Sequence, residues 1–213
     1  PEIWEAARHF YCFEDLLHWR LGLEPAISYP MAGRTMLFNV REHCWDRTLL
    51  ETAGLSPEQL ARPVPSGAVV GTIPSGIAGE MGLRSGVSVV TGGHDQPCGA
   101  LGAGVLRSGR AMYGMGTVEC ICPAFEKPVF RHELFKNNLC TYDYTAKGMY
   151  TTVAFSLTGG NLLRWYRDEF ADKEVRNAKE AGVNPYTVIL GSLPEEPTDL
   201  MVLPYFTPTG TPY

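Results

Sequence analysis

A chain of 213 residues has room for one large domain or for parts of two. With 45% hydrophobic and 19% charged residues it can build a packed core, which excludes a disordered chain. Its 18 Lys and Arg against 23 Asp and Glu leave a formal charge of −5, which argues against a sequence-independent nucleic-acid binder, and no apolar run is long enough for a membrane span.

Residues 2–22 read as a helix, because Ile3, Ala6, Ala7, Phe10, Phe13, Leu16 and Leu17 recur at three- and four-residue steps, with Gly22 as the stop. A loop with Pro25, Pro30 and Gly33 follows, then a short strand or buried turn over Thr35–Val40. Asp46–Ala53 reads as a helix that ends at Gly54, and Ser56, Pro57 and Gln59 form a capping box that opens another. Residues 63–86 are punctuated by Pro and Gly and predict loops and short strands with a small helix over 75–82. Val87–Thr91 is a β-branched run that predicts a buried strand. It opens into Gly92-Gly93-His94-Asp95-Gln96-Pro97 and a small-residue helix through Gly104. A strand, a Gly-rich turn and a helix in that order put the turn at the carboxyl end of the strand, where open α/β sheets place their chemistry. Beyond a composition shift at 104–110, strands are expected over 111–119 and 148–154, helices over 162–170 and 171–182, and a strand ending at Val202–Tyr205.

Asp95 is the most informative residue. A carboxylate between glycines and a proline can be held rigidly in a cleft mouth and can accept a hydroxyl proton during phosphoryl transfer. It reads equally as a cap of the following helix. Gly116-Thr117 and Thr158-Gly159-Gly160 are turns whose backbone N–H groups could cradle phosphate, although alone each reads as a tight connection. Of Arg164 and Arg167 on the next helix, Arg167 reads as a solvated charge, and Arg164 is open to that reading or to a nucleotide contact. His94 and Cys98 do not form a hydrolase signature, and Cys98 reads as a packed thiol. Cys120, Cys122 and His132 match no zinc spacing. The six cysteines contain no CxxC pair and predict a reduced, cytoplasmic protein. A start at Pro1 and a stop inside a turn-rich stretch lead us to expect a piece of a longer chain.

Together these segments resemble the FGGY family of carbohydrate kinases along essentially the whole chain. Phe13–Gly22 is similar to the family's "YLRYRLTG"-like helix end, and Ala32–Asn39 to its "AS-TLLFD" segment, followed by Trp45, Leu49 and Leu50. Gly71-Thr72 matches the "VG-L" turn. Val90–Gly104 resembles the "GGGDQ-AAALGAG" block, whose Asp is the catalytic base. Gly116-Thr117 resembles the "GTS" phosphate turn, with Val118 and Glu119 in place of Ser and Gly. Gly160–Asp168 is similar to "GA-L-WLRD", and Leu203–Pro212 to "LPYL-GER-P", with Thr211 in place of Arg.

The resemblance implies an α/β, ribonuclease H-like (actin-like ATPase) fold, with parts of two domains flanking a nucleotide/sugar cleft. Residues 1–106 would be the C-terminal half of the first domain and 107–213 the N-terminal half of the second. The implied function is ATP-dependent phosphorylation of a sugar or polyol. Asp95 would be the base, His94 and Gln96 its neighbours at the sugar, Gly116, Thr117, Gly160 and Arg164 the nucleotide contacts, and Mg²⁺ the companion of ATP. No residue is assigned as a metal ligand, and a homodimer is compatible with the family. The D-x-G-T phosphate hairpin and the adenine loop of the family are not found in these 213 residues. The piece alone is therefore expected to be inactive and, with strand edges exposed, prone to aggregate. A non-catalytic carbohydrate- or nucleotide-binding relative is the alternative, motivated by Val118, Glu119 and Thr211.

Overall fold

The computed structural model describes residues 2–202 and Phe206. The chain divides into two compact units. The first is built from the chain up to Met112 with Cys122–Phe135 and Cys140–Val153, the second from Tyr113–Ile121, Lys136–Leu139 and the chain from Ala154 onward.

The first unit opens with helices α1 (Glu2–Ala6) and α2 (Phe13–Arg20). The single helix expected over 2–22 is therefore broken. Phe10 forms a parallel bridge with Leu60, and its N–H donates to the Gln59 carbonyl at 2.8 Å. A long-range strand contact overrides the local helical period there. The buried face of α2 is also not the apolar one: Phe13 is 91% exposed, whereas Asp15 and His18 are buried. His18 Nδ1 lies 2.8 Å from the Ala26 carbonyl, and Asp15 accepts the Cys12 N–H at 3.0 Å in a capping arrangement. Burial raises the Asp15 carboxyl to about 6.

Strand β1 (Ala26–Ser28) runs parallel to β4 (Arg62–Val64), with Ser28 opposite Val64. Between them lie α3 (Tyr29–Ala32), the β2–β3 hairpin (Phe38–Asn39 with Cys44–Trp45) and α4 (Arg47–Ala53). The Asp46 carboxylate caps α4 by accepting the Leu49 N–H at 3.1 Å, and Gly54 ends it at φ 69°, a left-handed conformation suited to glycine. Ser56 and Gln59 make the expected capping box around a single 3₁₀ turn, Pro57–Gln59. Ile27, Ala32, Phe38, Trp45, Leu50 and Ala61 form the core here, and the Trp45 indole N–H donates to the Ala61 carbonyl at 2.9 Å.

Strands β5 (Val69–Thr72) and β6 (Ser88–Val90) pair antiparallel and bracket α5 (Ser75–Glu80), packed through Leu21, Ile73 and Ala78. β6 was expected to be buried, yet Val90 is 48% exposed, because β5 is its sole strand partner among the described residues. Helix α6 (Asp95–Gly102) follows β6, as the strand–turn–helix pattern predicts.

Strands β7 (Ala111–Met115) and β8 (Glu119–Phe125) come next. The end of β8, Ala124–Phe125, pairs with β10 (Tyr150–Thr151), which pairs with β9 (Tyr142–Asp143), and α7 (His132–Lys136) lies between β8 and β9 in the chain. Ala100, Val105, Cys122, Ala124 and Tyr144 form the third cluster of the first unit.

In the second unit, Glu119–Ile121 pair antiparallel with β11 (Ala154–Ser156). Helices α8 (Gly160–Phe170) and α9 (Asp172–Ala181) stand where the sequence places them, and α10 (Pro185–Gly191) follows, capped by the Asn184 side chain. The strand expected to end at Tyr205 and the Gly210–Pro212 segment lie outside the described residues, apart from Met201 and Val202. Among the described residues no helix is long and apolar enough to cross a membrane.

The neighbouring leucines of α4 make a test of this core. Leu50 is 1% exposed and Leu49 43%. Leu50→Ala in the complete protein is expected to cost about 2–5 kcal/mol in denaturant unfolding, and Leu49→Ala about 0.5 kcal/mol or less.

Candidate active site

The turn between β6 and α6 is anchored at its start by Thr91. The buried Thr91 hydroxyl donates to the Pro65 carbonyl at 2.8 Å and accepts the Ala68 N–H at 3.1 Å, and its backbone exchanges hydrogen bonds with Gly67 and Ala68. The next N–H, that of Gly92, donates to Glu14 Oε1 at 3.1 Å. Gly93 is closely packed: a Cβ there would lie 3.2 Å from Thr145 Oγ1 and 3.3 Å from Ser66 Oγ, so those hydroxyls would have to shift by a few tenths of an ångström. Thr145 also stands 3.6 Å from the Cys98 thiol, so Cys98 is packed and hydrogen-bonded.

Asp95 is the first residue of α6 rather than its N-cap, and its side chain is 81% exposed. Asp95 Oδ1 accepts the Gln96 N–H at 2.7 Å and lies 3.2 Å from His94 Nε2. His94 Nδ1 lies 3.1 Å from the Tyr142 hydroxyl. Burial holds the Tyr142 phenol well above its usual pKa, so it keeps its proton. Burial also pulls the His94 imidazole below 6.5; the Asp95 carboxylate opposes this and the Arg34 guanidinium adds to it. A neutral ring carries one proton. With Tyr142 donating to Nδ1, that proton sits on Nε2 and faces Asp95. The result is a directed chain, Tyr142 to His94 to Asp95, ending on a carboxylate open to solvent on its other oxygen. Sequence reasoning placed His94 and Gln96 beside Asp95 but gave no role to Tyr142, Arg34 and Glu14, which are distant from it in the chain.

The second unit brings together two of the sequence-predicted segments. The Gly160 N–H donates to the Gly116 carbonyl at 2.8 Å and the Asn161 N–H to the Thr117 carbonyl at 3.4 Å. The first N–H groups of α8 are thus taken by the 116–117 turn, and the Gly116 N–H is taken by the Val118 carbonyl at 3.0 Å. This close approach requires both glycines: a Cβ on Gly160 would lie 2.8 Å from the Gly116 carbonyl oxygen, and one on Gly159 2.9 Å from Glu119 Cγ. Glu119 itself accepts the Tyr113 phenol at 2.7 Å. Thr117 is exposed, and its hydroxyl has no hydrogen-bond partner among the described residues. One turn along α8, Arg164 lines a cavity of about 230 Å³ with Asn161, Leu162, Trp165 and Phe206. Arg167 instead pairs with Asp168 at 2.6 Å and lies half-buried over the Tyr186 ring, 5.3 Å from its centroid.

Residues 1–102 match the FGGY family of carbohydrate kinases, N-terminal domain. This part of the chain belongs to the FGGY family. The chain is 28% identical over 189 residues to a gluconokinase from Bacillus licheniformis, covering 89% of this chain and 36% of that protein. It is 30% identical over 189 residues to an autoinducer-2 kinase from Klebsiella pneumoniae, covering 89% of this chain and 35% of that protein. A crystal structure of xylulose kinase from Rhodospirillum rubrum superposes with a TM-score of 0.80 at 21% identity, over 98% of this chain and 41% of that one. The fold is the actin-like ATPase fold of the FGGY kinases. The chain spans about a third of the length of the curated relatives it matches.

The FGGY resemblance implies Mg²⁺, which in phosphoryl transfer keeps waters and phosphate oxygens and takes only one or two carboxylates. Among the described residues no three His, Cys, Asp or Glu side chains converge on one point, so they build no cage for the ion and no residue is assigned to it.

The proton arrangement at Asp95 can be read directly. His94 is expected to titrate below 6.5 in an NMR pH series of the complete protein, and Asp95→Asn is expected to move its midpoint lower still, because the carboxylate is the group that favours the imidazolium.

Proposed function

We propose that the complete protein is an ATP-dependent carbohydrate kinase, with Asp95 the base that takes the proton from the accepting hydroxyl of a sugar or polyol. The observation that carries this reading is an open carboxylate at the first position of α6, on a turn whose every flank is fixed, in the part of the chain that belongs to the FGGY family. A base must be in hydrogen-bond reach of the hydroxyl and free of competing cations. Asp95 meets the second condition, since its nearest titratable partner is the neutral His94. His94 and Gln96 would border the sugar. The family relatives act on gluconate, xylulose and autoinducer-2 by their names, at nearly equal identity, so the proposal extends to the substrate class and not to one sugar.

ATP would be held in the second unit by the Thr117 hydroxyl and by Arg164 on the next turn, with Gly116 and Gly160 shaping the turn that presents them. ATP supplies the phosphoryl group. The chain's own part is to present Thr117 and Arg164 from a rigid turn, because preorganised donors contribute most where they need not move. Residues 1–106 would contribute to the first actin-like domain and 107–213 to the second. The 213 residues by themselves would then lack turnover.

A second reading is a non-catalytic carbohydrate- or nucleotide-binding relative. It is favoured by one observation, that the Gly116 and Gly160 N–H groups are already spent within the turn rather than left for phosphate. Sugar-dependent ADP release separates the two. In the complete protein, Asp95→Asn is expected to lower kcat about 10²- to 10⁴-fold while sugar affinity stays near wild type. Turnover within a few-fold of wild type would remove Asp95 as base, and no sugar-dependent ADP release from the wild type would favour the binding relative.

A further inference from the structure

The turn that carries Asp95 contains two successive glycines, which have more backbone freedom than any other pair of residues. Something outside the turn must hold it. Glu14, 78 residues earlier in the chain, does so with one carboxylate shared between two elements. Oε2 accepts the N–H of Ser28 at 3.0 Å and its hydroxyl at 2.8 Å, at the end of β1, and Oε1 accepts the N–H of Gly92 at 3.1 Å. Ser28 is fully buried, whereas Gly92 is exposed. The carboxylate therefore ties an exposed, flexible segment to a fixed one. Hydrogen bonds to a charged acceptor are stronger than neutral ones.

We propose that Glu14 is a positioning residue for Asp95: it clamps Gly92 to Ser28 and so fixes the direction in which α6 begins. The role rests on the reading of Asp95 as the base, but the clamp itself does not. Thr91 and Tyr142 hold the two sides of the glycine pair, and Glu14 is the group that holds the pair itself.

Glu14→Gln tests the clamp at constant size. The amide oxygen can keep both Ser28 bonds, but the amide nitrogen is a donor and meets the Gly92 N–H, also a donor. Ser28→Ala removes one Ser28 bond and leaves that of Gly92. Both variants are made in the complete protein and compared by residue-resolved amide hydrogen exchange and by steady-state kinetics. Glu14→Gln is expected to speed exchange at Gly92 about tenfold or more. It is also expected to lower kcat about 10- to 100-fold with KM for ATP unchanged. Ser28→Ala is expected to leave Gly92 exchange near wild type. Wild-type exchange at Gly92 in folded Glu14→Gln overturns the clamp, as does a loss of kcat with no change in exchange. If Glu14→Gln does not fold, the wild-type protein decides: Gly92 should exchange more slowly than Gly93, and an unprotected Gly92 overturns the proposal. Asp95→Asn separates the two readings, since normal turnover there ends the base role while Gly92 exchange still judges the clamp.

Discussion

The Gly92–Gly93 pair lets the chain leave β6 with no side chain in the way, so everything that holds Asp95 comes from elsewhere in the fold. Gly93 packs closely on Ser66 and Thr145, so that a Cβ there would have to push their hydroxyls aside. The cost of the glycine pair is backbone entropy, and the first unit offsets it with polar anchors rather than apolar packing. Thr91 is fastened to the 65–68 segment, Gly92 to Glu14, and His94 to Tyr142. β6 itself is half exposed, so the strand alone could not supply this rigidity. The order of events in the sequence puts the carboxylate at the strand end, and residues from three other segments decide where it points.

The same economy appears in the second unit with a different outcome. The helix α8 begins at Gly160 with no side-chain cap, and the 116–117 turn caps it through its carbonyls. The turn and the helix stabilise each other, which fixes the position of the exposed Thr117. It also uses up amide groups that a looser turn would leave for a ligand. The chemistry available there is thus a hydroxyl and, one helical turn away, a guanidinium.

Much of this was readable from residues adjacent in sequence. Asp46 and Gly54 delimit α4, Ser56 and Gln59 make their capping box, and the Val87–Gly104 block gives a strand, a turn and a helix in place. For the caps of α4 and the capping box local signals suffice because the bonds involved span four residues or fewer, whereas β6 is legible from its β-branched run although its ladder reaches back to β5. The break after Ala6 was not readable, since the apolar spacing runs on through it and only Leu60, 50 residues further along, draws Phe10 out of the helix. The exposure of Phe13 and burial of Asp15 and His18 reverse the face that periodicity implies, because His18 finds a carbonyl acceptor on β1. Glu14, Arg34 and Tyr142 were invisible for the same reason: their importance lies in contacts across tens of residues.

The central claim is geometric: a bound sugar presents a hydroxyl to Asp95. A crystal structure of the complete protein with its sugar and a non-hydrolysable ATP analogue tests it most directly. The account predicts a substrate hydroxyl within about 2.6–3.2 Å of an Asp95 carboxylate oxygen, in line with the terminal phosphate. A sugar bound with every hydroxyl beyond reach of Asp95 would contradict it.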